Sequence, residues 1–150
     1  MGTGGMGTGG MGTGGTPVTD AGTGADGPAP TLTQIWTTIF GNNAAAPAPG
    51  CVTCHNGNVN RPNFTSVATS YTTLVGPAGT GVASVSCPPG IRVTPGNAET
   101  SVLVNKLRAG SGFGLAVVCG GGAMPAGGRA ITLDQLHMIE AWITAGALNN

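Results

Sequence analysis

The sequence predicts an all-α domain over residues 31–150, preceded by a low-complexity leader over residues 1–30. Amphipathic helix patterns open and close the domain, and no stretch shows the alternating pattern of a strand. Residues 1–15 are three copies of Met-Gly-Thr-Gly-Gly, and residues 16–30 continue in Thr, Gly, Ala, Pro and Asp with a single Val18. Because such a segment has almost no apolar side chains to bury, we interpret the leader as a disordered, flexible tether.

Both terminal helices are predicted to begin with a capping box. Thr31 and Gln34 form the first capping pair, and Thr132 and Gln135 form the second. The apolar residues that follow at helical spacing are Leu32, Ile35, Trp36, Ile39 and Phe40 in the first helix, and Leu136, Ile139, Trp142 and Ile143 in the last.

Glycine and proline punctuate the rest of the domain. Gly41 and the proline-containing stretch after it are expected to end the first helix. Two shorter helices are predicted, one over residues 65–74 and one that Asn97 caps and that carries Val102, Leu103 and Leu107. The Gly- and Pro-rich segments between them are too long to be ordered by helix packing alone, so a large buried cofactor is expected.

The charge of the chain argues against several classes of function. The formal net charge is zero, so nothing points to nucleic acid or another polyanion as a partner. Five basic and three acidic residues lie beyond the leader, a balance of +2, which predicts weak electrostatic steering and docking mainly through apolar contact. No Ser-His-acid set, phosphate loop or carboxylate pair is present, so we expect no enzymatic activity.

Cys51-Val52-Thr53-Cys54-His55 is a C-x-x-C-H element, the attachment signal for c-type haem. Two thiols one short turn apart can add across the porphyrin vinyl groups, and an imidazole directly after them can meet the iron from the same side. The alternatives are half of a zinc site or a thioredoxin-like redox pair. A zinc site would need a second ligand pair; Cys87 and Cys119 are far apart in sequence, although folding could bring them together. We interpret the element as the site of one covalent haem c.

Met124 is the predicted second axial ligand of the iron. It lies in a Gly-rich loop over residues 120–128, and Pro125 restricts the backbone next to it. His137 and Met138 are rivals, but both lie within the last predicted helix. The leader methionines could reach the iron only by folding back, which has an ordering cost. The alternative interpretation is a loop methionine packed on apolar surface.

Cys87 and Cys119 remain after haem attachment. An even remainder of cysteines in a protein matured outside the cytoplasm indicates a disulfide. Such a bond would also clamp the segment that presents Met124, because Met124 follows Cys119 by five residues. The alternative is two free thiols.

With these features the chain resembles the monohaem class I cytochrome c superfamily, particularly the cytochrome c-like domains of bacterial extracytoplasmic and surface lipoproteins. The resemblance spans about residues 31–146 and rests on the helix before Cys51, the element at 51–55, the helix at 101–107, the Met124-Pro125 pair and the helix that carries Trp142 and ends at Ala145-Gly146. It implies that the first and last helices pack together. It also implies that a carbonyl in a proline-containing loop binds the proximal histidine ring, and Pro62 in Arg61-Pro62-Asn63-Phe64 matches that loop.

One-electron transfer between extracytoplasmic redox proteins is therefore the predicted function, with His55 and Met124 as the axial ligands. The alternatives are a haem that binds ligands or reacts with peroxide at a displaceable sixth position, and a structural surface module held together by haem. Haem attachment and the spare cysteines predict a periplasmic or cell-surface location. Since the first residues lack the features of a signal peptide, the chain is expected to be mature, truncated or started at an internal methionine. The leader is expected to tether the domain to a membrane, as in a lipoprotein, or to a larger protein.

Overall fold

The computed structural model describes residues 1, 27–41, 50–58, 60–114 and 119–150. The predicted tether therefore lies almost wholly outside the described residues, as does the proline-containing stretch after Gly41. The described residues form four α-helices: α1 (Leu32–Ile35), α2 (Val67–Leu74), α3 (Val102–Ser111) and α4 (Leu133–Thr144). Their only β pairing consists of isolated bridges such as Ala83 with Ile91. The prediction of an all-α domain is confirmed.

Both predicted capping boxes are present. At the start of α1, the Thr31 hydroxyl accepts a hydrogen bond from the Gln34 amide, and the Gln34 side chain accepts one from the Thr31 amide. Thr132 and Gln135 make the same reciprocal pair at the start of α4. These bonds satisfy two of the amide groups that every helix leaves unpaired at its first turn.

Helix α1 continues into a π-helical turn at Trp36–Phe40. The Gly41 amide donates to the Trp36 carbonyl at 2.7 Å and closes this wider turn, so the helical segment ends at Gly41 as predicted. Helix α2 begins two residues later than predicted, because Ser66 forms a capping box with Thr69.

The prediction that Asn97 caps α3 is wrong. Asn97 closes a preceding turn, where its side-chain oxygen accepts from the Thr100 amide, and Ser101 is the helix N-cap. The first amides of α3 are satisfied by a distant segment instead: Val102 donates to the Ile91 carbonyl and Leu103 to the Arg92 carbonyl, both at 2.9 Å. Tertiary contact has replaced the local cap.

Packing around α4 forms the centre of the domain. Helix α4 contacts both α1 and α3, and α2 contacts α1. The C-terminal residue Asn150 completes the start of α1, since its side-chain oxygen accepts from the Leu32 amide and its backbone carbonyl from the Thr33 amide, each at 3.0 Å. Fully buried members of the core include Leu32, Ile35, Ile39, Leu74, Val104, Ile139 and Ile143.

None of the helices in the described part of the chain is long and apolar enough to cross a membrane.

Replacing Ile139 with alanine is expected to lower the free energy of unfolding by about 2–5 kcal/mol, because Ile139 is fully buried in the core. Leu133 lies on the same helix but is 46% exposed, so Leu133→Ala serves as the control and should change stability far less. Urea unfolding measures both. Equal losses for the two variants would contradict the described packing of α4.

Candidate functional site

A cavity of about 510 Å³ lies between the segment that contains the C-x-x-C-H element, helix α3 and the loop that contains Met124. Its size falls within the range of cofactor and small-molecule sites. Each predicted cofactor residue contributes to its wall; these residues are Cys51, Cys54, His55, Pro62 and Met124. Folding thus brings together on one surface the groups that the sequence analysis assigned to a single cofactor.

The rival axial ligands lie elsewhere. His137 is exposed on α4, and neither it nor Met138 contributes to the cavity wall. Met138 packs against the hydrophobic core instead. The leader methionines Met6 and Met11 lie outside the described residues.

The C-x-x-C-H element begins in a tight 3-10 turn at Cys51–Thr53. The Cys54 and His55 amides both donate to the Cys51 carbonyl, at 3.2 and 3.0 Å, which folds the two cysteines and the imidazole into one compact unit. Burial raises the pKa of the Cys51 thiol to about 11. Reactive cysteines of thioredoxin-like pairs have lowered pKa values, so this environment argues against that alternative.

His55 is oriented by a backbone carbonyl. Its Nδ1 lies 3.0 Å from the Pro62 carbonyl oxygen, which makes Nδ1 the protonated nitrogen and leaves the Nε2 lone pair available to a metal. Burial lowers the pKa of His55; the hydrogen bond to Pro62 opposes this shift, and the nearby charges of Arg61 and Arg92 add to it. The neutral imidazole that a metal ligand requires is therefore favoured.

Phe64 supports the histidine, a role that the sequence analysis did not assign. Its amide donates to the His55 carbonyl at 2.8 Å, and its ring lies 5.3 Å from the imidazole, centroid to centroid. The ring also stacks on Phe40, with centroids 4.3 Å apart, and the Trp36 indole donates to the Phe64 carbonyl at 2.8 Å. The π-helical turn thus anchors the proline-containing loop. In the sequence, this role was indicated by the presence of an aromatic residue two positions after Pro62.

The cavity wall is basic as well as apolar. Four of the five Lys and Arg residues of the chain line it, namely Arg61, Arg92, Lys106 and Arg129, and within the described part of the chain no Asp or Glu lines it. The fifth, Arg108, binds Glu99 and Glu140. The cavity is therefore suited to a largely apolar ligand that carries negative groups.

Arg92 is the most buried of these arginines, at 7% exposure. Its guanidinium donates to the Thr73 carbonyl at 2.7 Å, which joins the cavity wall to the end of α2. Burial lowers the pKa of Arg92, yet guanidinium groups stay charged in proteins, so the cavity contains a fixed positive charge.

The loop that contains Met124 is held by helix α3 and by a disulfide. The Met124 amide donates to the Lys106 carbonyl at 2.9 Å. At Gly110, helix α3 approaches the Met124 backbone so closely that a Cβ atom on residue 110 would collide with the Met124 carbonyl. Cys119, just before the loop, lies at disulfide-bonding distance from Cys87, with the two Cα atoms 5.0 Å apart. Cys87 is 3% exposed, so the disulfide joins the start of the loop to a buried residue.

The cysteine geometry bears on the zinc alternative. Because Cys87 and Cys119 pair with each other, they are not a second pair of zinc ligands for Cys51 and Cys54. Over the described ranges, no group of three or more His, Cys, Asp or Glu side chains is arranged to hold a metal ion. The donors that do share the cavity wall are one imidazole, two thiols and one thioether, and this set fits a covalent haem.

Gly110→Ala is expected to destabilise the protein, although alanine is the better helix former by about 1 kcal/mol. The added methyl group collides with the Met124 backbone, and overpacking typically costs about 1–3 kcal/mol. Chemical unfolding of this variant and of Asn105→Ala, an exposed position on the same helix, provides the test. A gain in stability for Gly110→Ala would show that α3 and the loop do not approach this closely.

Replacing both Cys87 and Cys119 with serine is expected to lower the free energy of unfolding by about 3–4 kcal/mol, since the disulfide closes a loop with a sequence separation of 32 residues. The comparison is urea unfolding of the oxidised protein and of the double variant. A thiol assay on the unfolded, unreduced protein without haem should detect Cys51 and Cys54 only. Four free thiols would contradict the pairing.

No family model, no curated protein and no solved structure matches the chain. The assignment of the cavity therefore rests on its own residues: an attachment motif, an oriented imidazole, a thioether on the same wall and an excess of positive charge.

Proposed function

We propose that this domain is a c-type cytochrome that binds one covalent haem and carries single electrons between extracytoplasmic redox proteins. One observation carries the proposal: Met124 and the C-x-x-C-H element, which are far apart in sequence, line the same cavity together with four basic side chains. A porphyrin with two propionates and an iron that needs two axial donors has the chemistry that this wall accommodates.

Each residue has a defined role in this proposal. Cys51 and Cys54 form the thioether bonds, and His55 supplies Nε2 as the proximal ligand. Pro62 acts through its carbonyl, which holds the imidazole in one tautomer and one orientation. Met124 supplies its thioether from the loop. When bound, the haem supplies an iron that cycles between the ferric and ferrous states.

The fold supports the same proposal. The packing of α1 against α4 is the arrangement that the resemblance to class I cytochromes c implies for the first and last helices. A class I cytochrome c-like fold also accounts for the long irregular segments, because a buried porphyrin would order them from one side.

The lining of the cavity is suited to electron transfer. Phe40, Phe64 and Leu107 contribute apolar surface that would limit the access of water to a bound haem iron. The basic side chains would offset the propionates, because they lie on the cavity wall itself. With both axial positions filled by side chains, no substrate needs to enter.

Partner docking is proposed to occur at the rim of the cavity. Val85, at 62% exposure, lines the cavity and presents apolar surface there. Small apolar contact areas of this kind are typical of transient electron-transfer complexes. Extracytoplasmic location, in the periplasm or on the cell surface, follows from the site of c-type haem attachment and from the disulfide. The leader would tether the domain to a membrane or to a larger protein.

The test is expression of the chain with a haem-attachment system, followed by reduced-minus-oxidised spectra of the wild type and of Met124→Ala. The wild type should show the covalent c-type alpha band and the weak near-infrared sulfur-to-iron band of the ferric state. Met124→Ala should keep the alpha band, lose the near-infrared band and have a lower reduction potential, because a thioether ligand raises the potential.

Met138→Ala is the matched control, since Met138 packs against the core and does not line the cavity. It should leave both bands unchanged. Absence of covalent haem from the wild type would overturn the proposal. Covalent haem with a high-spin spectrum, or a near-infrared band that survives in Met124→Ala, would shift the assignment to a ligand-binding haem.

A further inference from the structure

We propose that Lys106 is a positioning residue for the Met124 ligand, and that its buried ammonium holds the loop against helix α3 in the orientation that places the thioether over the iron. This inference rests on the proposed function, because it concerns how an axial ligand is presented. The proximal half of the site has a supporting contact of its own, the hydrogen bond from His55 to Pro62. Lys106 provides the equivalent support for the loop that contains Met124.

Lys106 is the single lysine of the chain and is 9% exposed. Its Nζ donates to three successive carbonyls: Gly120 at 3.1 Å, Gly121 at 3.2 Å and Gly122 at 2.9 Å. An ammonium has three N–H donors, so backbone oxygens use all of them and no carboxylate is required. A buried charge that is satisfied in this way fixes the geometry of the groups around it.

The glycine loop is shaped for this contact. Successive carbonyls of extended backbone point in alternating directions, whereas here three of them face one ammonium. Gly121 and Gly122 have positive φ angles of 85° and 62°, a conformation that glycine adopts without the steric penalty of a side chain. The two glycines turn the carbonyls inward, and Lys106 fills the space that they enclose.

The same lysine also binds the ligand residue directly through its backbone. The Lys106 carbonyl accepts from the Met124 amide at 2.9 Å, so the side chain holds the start of the loop and the main chain holds Met124 itself. The disulfide at Cys119 restrains the chain before the three carbonyls. Loss of the ammonium would remove the three hydrogen bonds that hold residues 120–122, between the disulfide and Met124.

Lys106 lines the cavity as well, so its charge would face the haem. Burial lowers the pKa of Lys106, because loss of water disfavours the charged ammonium. Its contact with the loop and its charge both favour a methionine-ligated ferrous iron. Lys106→Gln removes the charge but keeps hydrogen-bond donors, so it separates the effect of the contact from the effect of the charge.

The experiment compares holoproteins that carry covalent haem: wild type, Lys106→Met, Lys106→Gln and Lys106→Arg. The readouts are the near-infrared sulfur-to-iron band of the ferric protein and the affinity for added imidazole, which competes with the thioether for the iron. Lys106→Met should weaken the band and raise the imidazole affinity about tenfold or more, because charge-assisted hydrogen bonds that hold the loop are lost.

Lys106→Gln keeps a polar side chain with two donors and should give intermediate values; it decides the question if Lys106→Met does not fold. Lys106→Arg, which keeps the charge and can donate to several carbonyls, should restore most of the band. Arg108→Gln is the matched control on the same helix, since Arg108 binds Glu99 and Glu140 and does not line the cavity. It should leave the band and the imidazole affinity unchanged even if it lowers the melting temperature.

The outcomes separate this inference from the proposed function. A wild-type near-infrared band that is unchanged in Lys106→Met and Lys106→Gln would overturn the positioning role alone. Equal loss of the band in Arg108→Gln would also overturn it, because a general loss of stability would then explain the effect. A wild type without covalent haem, or with haem but without the band, would overturn the inference together with His/Met ligation.

Discussion

The part of the cavity wall that contains Met124 depends on the contact between the Lys106 ammonium and three backbone carbonyls. This wall consists of Gly-rich chain that has no helix or sheet to satisfy its polar groups. Gly120, Gly121 and Gly122 are exposed, but Lys106 is 9% exposed, and its charge needs acceptors when it is removed from water. A lysine on a buried helix face supplies three donors at one point, so it orders the loop without any regular structure in the loop itself.

The same principle recurs elsewhere in the domain. Arg92 donates from the cavity wall to the Thr73 carbonyl at the end of α2, and the Trp36 indole donates to the Phe64 carbonyl. In each case a side chain on one element binds the irregular backbone of another. A chain with so little regular structure is thus held by side-chain donors to carbonyls, with one disulfide as the covalent link. These contacts order the segments that form the cavity walls, so the contacts surround the cavity.

Charge is distributed unevenly over the domain. The basic residues gather around the cavity, whereas the acidic Glu99 and Glu140 bind Arg108 on the side where α3 meets α4. A chain with zero net charge therefore has a positively charged cavity. The amino-acid composition gives only the total charge, so it does not show that the basic and acidic side chains are separated in space. For the proposed haem the separation matters, because propionates and iron respond to the local field rather than to the total charge.

The parts of this protein that were predictable from sequence are those that depend on near neighbours. The capping boxes of α1 and α4 join residues three positions apart, so Thr31 with Gln34 and Thr132 with Gln135 identify both helix starts. The start of α3 was predicted wrongly from Asn97 because its first amides bind Ile91 and Arg92, which only folding brings near. The sequence contains a weak indication that Lys106 is buried, because it follows the buried Val102 by four residues and so lies on the same helix face. Its three acceptors, however, lie 14 to 16 residues away in irregular chain.

The sequence by itself determined the all-α class, the ends of the outer helices and the C-x-x-C-H element, since each depends on short-range spacing that the chain carries wherever it folds. It also singled out Met124, Pro62 and the Cys87 and Cys119 pair as residues of interest, without placing them in space. Only the tertiary structure decided that these residues border one cavity, that basic side chains surround it, and that Lys106, Gly110 and Phe64 support it. The physical reason is that these contacts join segments that are far apart along the chain. No short-range sequence pattern links such segments, so the contacts exist only after folding has brought the segments together.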